Sequence, residues 1–278
     1  MRQLVMPQPY FVHAALMVRS LIRHRRLAWE LAKRELADRY VGQVGGTLWS
    51  IVQPALMIGI FILLFAGVFT TRLVANSGSP KQQIVYLLAG LVPWMTIQDA
   101  LARAPTVITS NAALVKQVSF PLAVLPVKTL LPSYIMLPIG YGLLFLYVLF
   151  SEGTLSLSWG LLPACWAMLA VFTIGLAYCL SAITVYLRDA ANVLQLVLFA
   201  GLYVSPVFYA PEAAPRLLRV AMYANPFTYL ILCFQDATYY GYIAHPMAWA
   251  AATGLSALAF LVGARVFNVL QRYFGSFL

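Results

Sequence analysis

LWSIVQPALMIGIFILLFAGVF, residues 48–69, contains no Asp, Glu, Lys or Arg. About 20 mainly apolar residues carry a helix across the hydrocarbon core of a bilayer. The stretch therefore reads as a first membrane span, with Gln53 and Pro54 its only awkward members. The same reading recurs along the chain. After a polar loop over 70–83, spans are predicted over 84–108, 129–150, within the uncharged stretch 153–187, over 190–208, and within 246–267. Composition agrees: 62% of the 278 residues are hydrophobic and only 9% are charged, with a mean hydropathy of +0.83. A soluble domain carries about 25% charge. So few charges cannot clothe a water-facing surface, and lipid must cover most of the chain.

Residues 209–245 do not fit a plain span. An apolar run over 220–235 is broken at Asn225-Pro226, and Pro206, Pro211 and Pro215 precede it. Broken backbone at membrane depth is tolerated only inside protein or beside a watery cavity. The segment reads as short re-entrant helices, or else as a loop with an interfacial helix.

Six spans place both termini on one side, and basic residues choose which. With the N-terminus cytoplasmic, the inner segments hold thirteen Lys and Arg: eight before the first span, then Lys116, Lys128, Arg188, Arg265 and Arg272. The outer side holds four, Arg72, Lys81, Arg216 and Arg219, with Arg103 unassigned. Both termini are thus expected in the cytoplasm. No cleavable signal peptide is read, and the first span serves as the insertion signal. The formal charge of +10 belongs against anionic lipid headgroups, not nucleic acid. Phe11, Ala14, Val18, Leu21 and Ile22 recur at helical spacing, with Arg19, Arg23 and Arg26 on another face, the pattern of a helix lying in the interface. A second, more charged helix is predicted over 27–40.

Asp99 and Arg103 form an ion-capable pair inside a span. Four residues apart, they share a helix face. They read either as a packing pair near the cytoplasmic end of the second span or as a polar contact beside a substrate path. Cys165, Cys179 and Cys233 sit apart in apolar sequence, and His13, His24 and His245 are scattered, so no metal site is expected. The eight acids form no cluster suited to a membrane enzyme. The P-loop spacing is also absent, so any ATPase is a separate polypeptide. The sixteen Tyr suit interface belts. Alternatively, some line a path, since a Tyr ring offers a sugar a flat apolar face and a hydroxyl. Tyr134, Tyr141, Tyr178, Tyr203, Phe208, Tyr209 and Tyr223 are candidates.

Several patches resemble a known family. Arg34-Glu35-Leu36-Ala37-Asp38-Arg39-Tyr40, Gly45-Gly46-Thr47-Leu48-Trp49 and Gln53-Pro54 are similar to the start of polysaccharide-export permeases of the ABC-2 type. Asn111, Leu114-Val115-Lys116 and Phe120-Pro121, then Arg188-Asp189, then Ser205-Pro206 and Asn225-Pro226 follow in that family's order. Gln43 departs from a commoner Ser, and Gln235 from an Arg that often follows the Asn-Pro patch.

The resemblance implies an all-α integral membrane protein with cytoplasmic interface and gate helices over 1–47 and a six-span domain over 48–278. It implies a homodimer of the bacterial inner membrane, seated on two P-loop ATPase subunits that supply ATP and Mg, and exporting a lipid-linked polysaccharide such as an O-antigen, capsule or teichoic-acid-like chain. The connection over about 109–128, with Asn111, Leu114, Lys116, Phe120 and Pro121, would couple to the ATPase, aided by Arg188 and Asp189. Arg19, Arg23, Arg25, Arg26 and Arg39 would meet the lipid diphosphate, or else simply anchor headgroups. Ser205, Pro206, Asn225 and Pro226, in a re-entrant region over about 205–245, would form an outer gate. The competing readings are a small-molecule efflux permease of the same class and, from other classes, a membrane enzyme of glycan assembly or a channel-forming protein.

Overall fold

The computed structural model describes residues 10–67, 80–116, 120–153 and 155–277. Within them every regular element is helical. Hydrocarbon offers no partner to a backbone N–H or C=O, and a helix satisfies both within the segment.

Two helices precede the first span, α1 (Tyr10–Arg23) and α2 (Arg25–Arg39). The expected apolar stripe of α1 is divided. Ala14 is buried with Met17, which the spacing argument left out, and Leu21 packs beside them; Phe11, Val18 and Ile22 stay exposed. Arg26 falls in α2, because the helix breaks at His24.

The first span, α3 (Trp49–Gly67), carries Pro54 in its interior. The end of the predicted span and residues 70–79 of the loop after it, with Arg72, lie outside the described residues, while residues 80–83, predicted as loop, open the next helix. α4 (Pro80–Arg103) follows, then two single turns, α5 (Val107–Ser110) and α6 (Ala112–Val115). α4 stops at Arg103 rather than near 108, ahead of Pro105, which disfavours helix in the residue before it. The third span begins earlier than predicted. α7 (Val124–Leu130) passes through a 3-10 segment at Pro132 into α8 (Met136–Glu152). α9 (Leu162–Thr184) and α10 (Ala190–Tyr203) come next. α11 (Arg216–Ala224), α12 (Pro226–Gln235), α13 (Pro246–Leu270) and the terminal turn α14 (Phe274–Phe277) complete the chain.

Among the described residues five helices are long and apolar enough to cross a membrane, or six if a bent pair counts as one span. The predicted fifth span differs: α10 has 14 residues, about 21 Å at the rise of an α-helix against a hydrocarbon core of about 30 Å. It ends where Gly201 meets the Trp94 ring, partway along α4. α12 begins at the same level, with Phe227 edge-on to Trp94 at 5.5 Å. It then runs toward the Pro80 end of α4, where Tyr239 meets Tyr86 at 5.2 Å. Two short helices thus meet near the middle of α4. The 93° bend between α11 and the helix following Asn225 lies at that meeting point.

α4 is the central helix: most of its residues are buried, whereas nearly all of α3 is exposed or half-buried. Around its middle lies a core with Trp94, Ile97, Tyr141, Phe172 and Phe234. A second core, with Met17, Ile108, Leu125, Tyr178, Phe267 and Phe274, joins α1, the connection after α4, α9 and α13. α9 and α13 cross so closely that a Cβ on Gly263 would stand 1.9 Å from Gly175 O.

Candidate functional site

Polar side chains concentrate at the Arg103 end of α4. Asp99 receives three donors: Arg39 Nη1 at 3.0 Å, Arg103 Nε at 3.0 Å and Ser133 Oγ at 2.5 Å. The Asp99–Arg103 pair is the one expected from the sequence. Arg39 and Ser133 are brought to it by the fold. The second Arg39 nitrogen, Nη2, donates to Thr129 O at 2.8 Å. Pro132 has no N–H, so no 3-10 bond can close on that carbonyl, and the guanidinium takes its place. Arg39, Asp99, Arg103 and Ser133 line a cavity of about 160 Å³ with Tyr40, Ser50, Gln53 and Pro54, so the Gln53-Pro54 patch of the first span faces it too.

One residue further back, Lys128 Nζ lies 3.2 Å from Glu35 Oε2 and donates to Asn111 Oδ1 at 3.0 Å. Arg39 and Lys128 keep side-chain exposures of only 9% and 10%. Arg39 is therefore committed to a protein partner, whereas Arg19, Arg23, Arg25 and Arg26 stand exposed.

Asn111 also donates through Nδ2 to Val107 O at 2.8 Å, which fixes the corner between α5 and α6. Leu114 and Phe120 pack against the second core, Lys116 is exposed and Pro121 is half-buried. The expected short loop with Arg188 and Asp189 stands beside this connection. Thr184 Oγ1 donates to Pro105 O at 2.5 Å, and a cleft of about 450 Å³ runs between the two, lined by Thr106, Thr109, Ala112, Arg188 and Phe277 among others. Arg188 and Asp189 are both exposed.

The broken helices meet through side chains. Asn225 accepts from Phe227 N at 3.1 Å, capping α12, and its Nδ2 donates to Ser205 Oγ at 3.0 Å. Pro206 O accepts from the fully buried Gln235 at 2.6 Å. Gln235, where the resemblance led to an Arg, thus ties the far end of α12 to the chain that follows α10. A further cluster was not anticipated. Asp236, also fully buried, accepts from His245 N, His245 Nδ1 and Trp249 Nε1 at 3.0, 2.7 and 3.0 Å. The Asp236 hydrogen bond holds the His245 pKa above its ordinary value, against the desolvation that lowers it. A lone acid in an apolar run was the available signal; its partners are nine and thirteen residues away.

The aromatic candidates divide into two groups. Tyr134, Tyr141 and Tyr178 point inward. Tyr141 OH donates to Ala89 O at 2.9 Å, the carbonyl that Pro93, lacking N–H, leaves without its helical donor. Tyr178 OH donates to Ala123 O at 2.7 Å, and Tyr134 OH is paired with Thr173. Tyr203 and Tyr223 are exposed, and Phe208 stacks on Tyr203 at 5.9 Å. Tyr209 OH donates to Tyr203 O.

Comparison with known proteins bears on this arrangement. The chain is 25% identical over 251 residues to the O-antigen export system permease protein RfbA of Klebsiella pneumoniae, covering 89% of this chain and 93% of that one. It is 26% identical over 235 residues to the protein of the same name from Myxococcus xanthus, covering 80% and 84%. A family model described as ABC-2 type transporter matches residues 26–239, from the start of α2 through α12. With that match over most of its length, and its several apolar helices, the chain is a multi-pass membrane protein that belongs to the ABC-2 type transporter family.

Proposed function

We propose that this protein is the permease subunit of an ATP-driven exporter that moves a lipid-linked, O-antigen-like polysaccharide from the cytoplasm across the bacterial inner membrane. The observation that carries this reading is the near end-to-end similarity to O-antigen export permeases. A small-molecule efflux permease would need to share only the family pattern. The geometry supports the same reading. At the Arg103 end of α4, two connections flank one cleft, a fitting seat for a separate P-loop ATPase that binds ATP and Mg. Basic residues fall mostly at that end, as a cytoplasmic face requires.

The exposed arginines of α1 and the start of α2 are placed to meet a lipid diphosphate at the entrance, with the divided apolar stripe of α1 in the interface. Asn225, capping a helix level with Trp94, supports reading 205–245 as a re-entrant gate that reaches in from the outer side. Tyr203, Phe208, Tyr209 and Tyr223 supply aromatic surface near it. Leu56, Ile60 and Leu63 of α3 and Val193, Leu196 and Phe199 of α10 are exposed apolar residues suited to a second copy of the chain, with the path between the two copies.

Depleting the protein and locating the lipid-linked glycan tests this function. Full-length glycan accumulating on the cytoplasmic face is the expected result. Normal surface glycan with no accumulation would overturn the polysaccharide reading in favour of small-molecule efflux, and truncated glycan would point to an assembly enzyme.

A further inference from the structure

Lys128 stands where two elements with separate proposed tasks meet. Its ammonium has three N–H donors and no acceptor. One is directed at Asn111 Oδ1, 3.0 Å away at the corner between α5 and α6; another faces Glu35 Oε2, 3.2 Å away in the middle of α2. The side chain is only 10% exposed, so water does not compete freely for these bonds. α5 and α6 are single turns of four residues each, too short to be stable by themselves. Val107, Ile108 and Val115 bury them in the second core, and of the three hydrogen bonds made by the Asn111 side chain the one from Lys128 is the one that comes from outside the connection. On the other side, the next residue along α7 offers its carbonyl, Thr129 O, to Arg39 at 2.8 Å, while Arg39 also pairs with Asp99. Glu35 and Arg39 lie four residues apart, on one face of α2. α2 is therefore fastened at two successive turns to two successive residues of α7, and one of these also grips the connection.

We propose that Lys128 is a positioning residue that makes α2 move with the 105–116 connection, so that a displacement of that connection by the ATPase opens or closes the cytoplasmic entrance that α2 frames. This rests on the exporter reading above. Packed and hydrogen-bonded networks carry coupling of this kind, and the path Asn111–Lys128–Glu35 is continuous through one side chain. Without Lys128, the connection would still move with the ATPase, but Glu35 would lose its grip on it. Hydrolysis would continue while the entrance no longer followed.

The test uses the permease assembled with its ATPase in proteoliposomes, with the cell's own lipid-linked glycan radiolabelled in its sugars. Two quantities are read: glycan moved per ATP hydrolysed, and the change on adding ATP in the maleimide-labelling rate of a cysteine placed on the exposed Ala37 of α2. Lys128→Met is expected to hydrolyse ATP within about twofold of the unsubstituted protein, to move at least tenfold less glycan per ATP, and to lose the ATP-dependent change at A37C. Lys128→Arg should keep most of both. Glu35→Gln, at a partly exposed position, leaves the Lys128–Asn111 bond in place and should give an intermediate loss, which keeps the inference testable if Lys128→Met does not fold. A fall in hydrolysis and transport in equal proportion, or an unchanged labelling response in both variants, overturns the inference. If the unsubstituted complex hydrolyses ATP and moves no glycan, the exporter reading fails instead; the labelling response, which needs no glycan, still judges Lys128.

Discussion

Asp99 joins three elements because one carboxylate can accept several hydrogen bonds at once. Arg39 comes from α2, Arg103 from α4 and Ser133 from the segment that opens the third span. Asp99→Ala would strand Arg39, whose side chain is 9% exposed. A lost hydrogen bond to a charged group costs about 1.5–3 kcal/mol, so a clearly lower melting temperature in detergent is expected. Asp99→Asn, which keeps one acceptor oxygen, should lose less. Asp236 and His245 allow a second prediction. The folded-state pKa of His245 is raised, so its stabilising effect is full below the unfolded value of about 6.5 and fades as pH rises through the raised value. The melting-temperature difference between the unsubstituted protein and His245→Ala should therefore be largest in mild acid and shrink as pH rises through that point. A difference that grows with pH would contradict the assignment.

At the scale of the element, small residues and prolines decide how the helices sit. α9 and α13 touch backbone to backbone at Gly175 and Gly263, where any Cβ must force them apart. Gly263→Ala is expected to destabilise by about 1–3 kcal/mol, as overpacking does. Gly254→Ala, on the same helix with nothing within 4 Å of the added carbon, should leave the melting temperature unchanged or slightly higher, since Ala is the better helix former. The interior prolines explain two contacts that spacing could not foresee. Tyr141 serves Ala89 O, freed by Pro93, and Arg39 serves Thr129 O beside Pro132. The same constraint shortens α10. Beyond Tyr203 the chain reaches Pro206 and breaks, and α12 packs along the stretch of α4 that α10 does not reach.

For the whole molecule, the proposed function assigns the two ends of α4 to opposite sides of the membrane, and that assignment can be measured. In intact spheroplasts a membrane-impermeant maleimide is expected to label a cysteine at Glu212 and to leave one at Arg19 unlabelled until the cells are opened. The reverse pattern would invert the orientation. The face bearing the 106–112 and 184–191 connections is expected to hold the ATPase. Thr109→Trp, which fills part of the cleft between them, should reduce co-purification of the ATPase without lowering the permease's own melting temperature.

The apolar runs, the basic N-terminal segment and the order of short motifs were legible in the amino-acid sequence because they depend on local quantities: twenty residues of low polarity, a helical period, a charge count on either side of a span. Those suffice for a helical membrane protein with this family's pattern. The fifth span was overestimated because hydropathy registers composition, whereas Pro206 ends the helix while the composition stays apolar. The partners of Arg39, Lys128, Gln235 and Asp236 were decided only by tertiary structure. A buried charge or amide must be paired wherever the fold delivers a partner, and that partner can lie anywhere along the chain: 60 residues away for Arg39 with Asp99, and 29 for Gln235 with Pro206. Local sequence shows that such a group needs a partner. Which one it finds depends on how α2, α4, α7, α10 and α12 pack together.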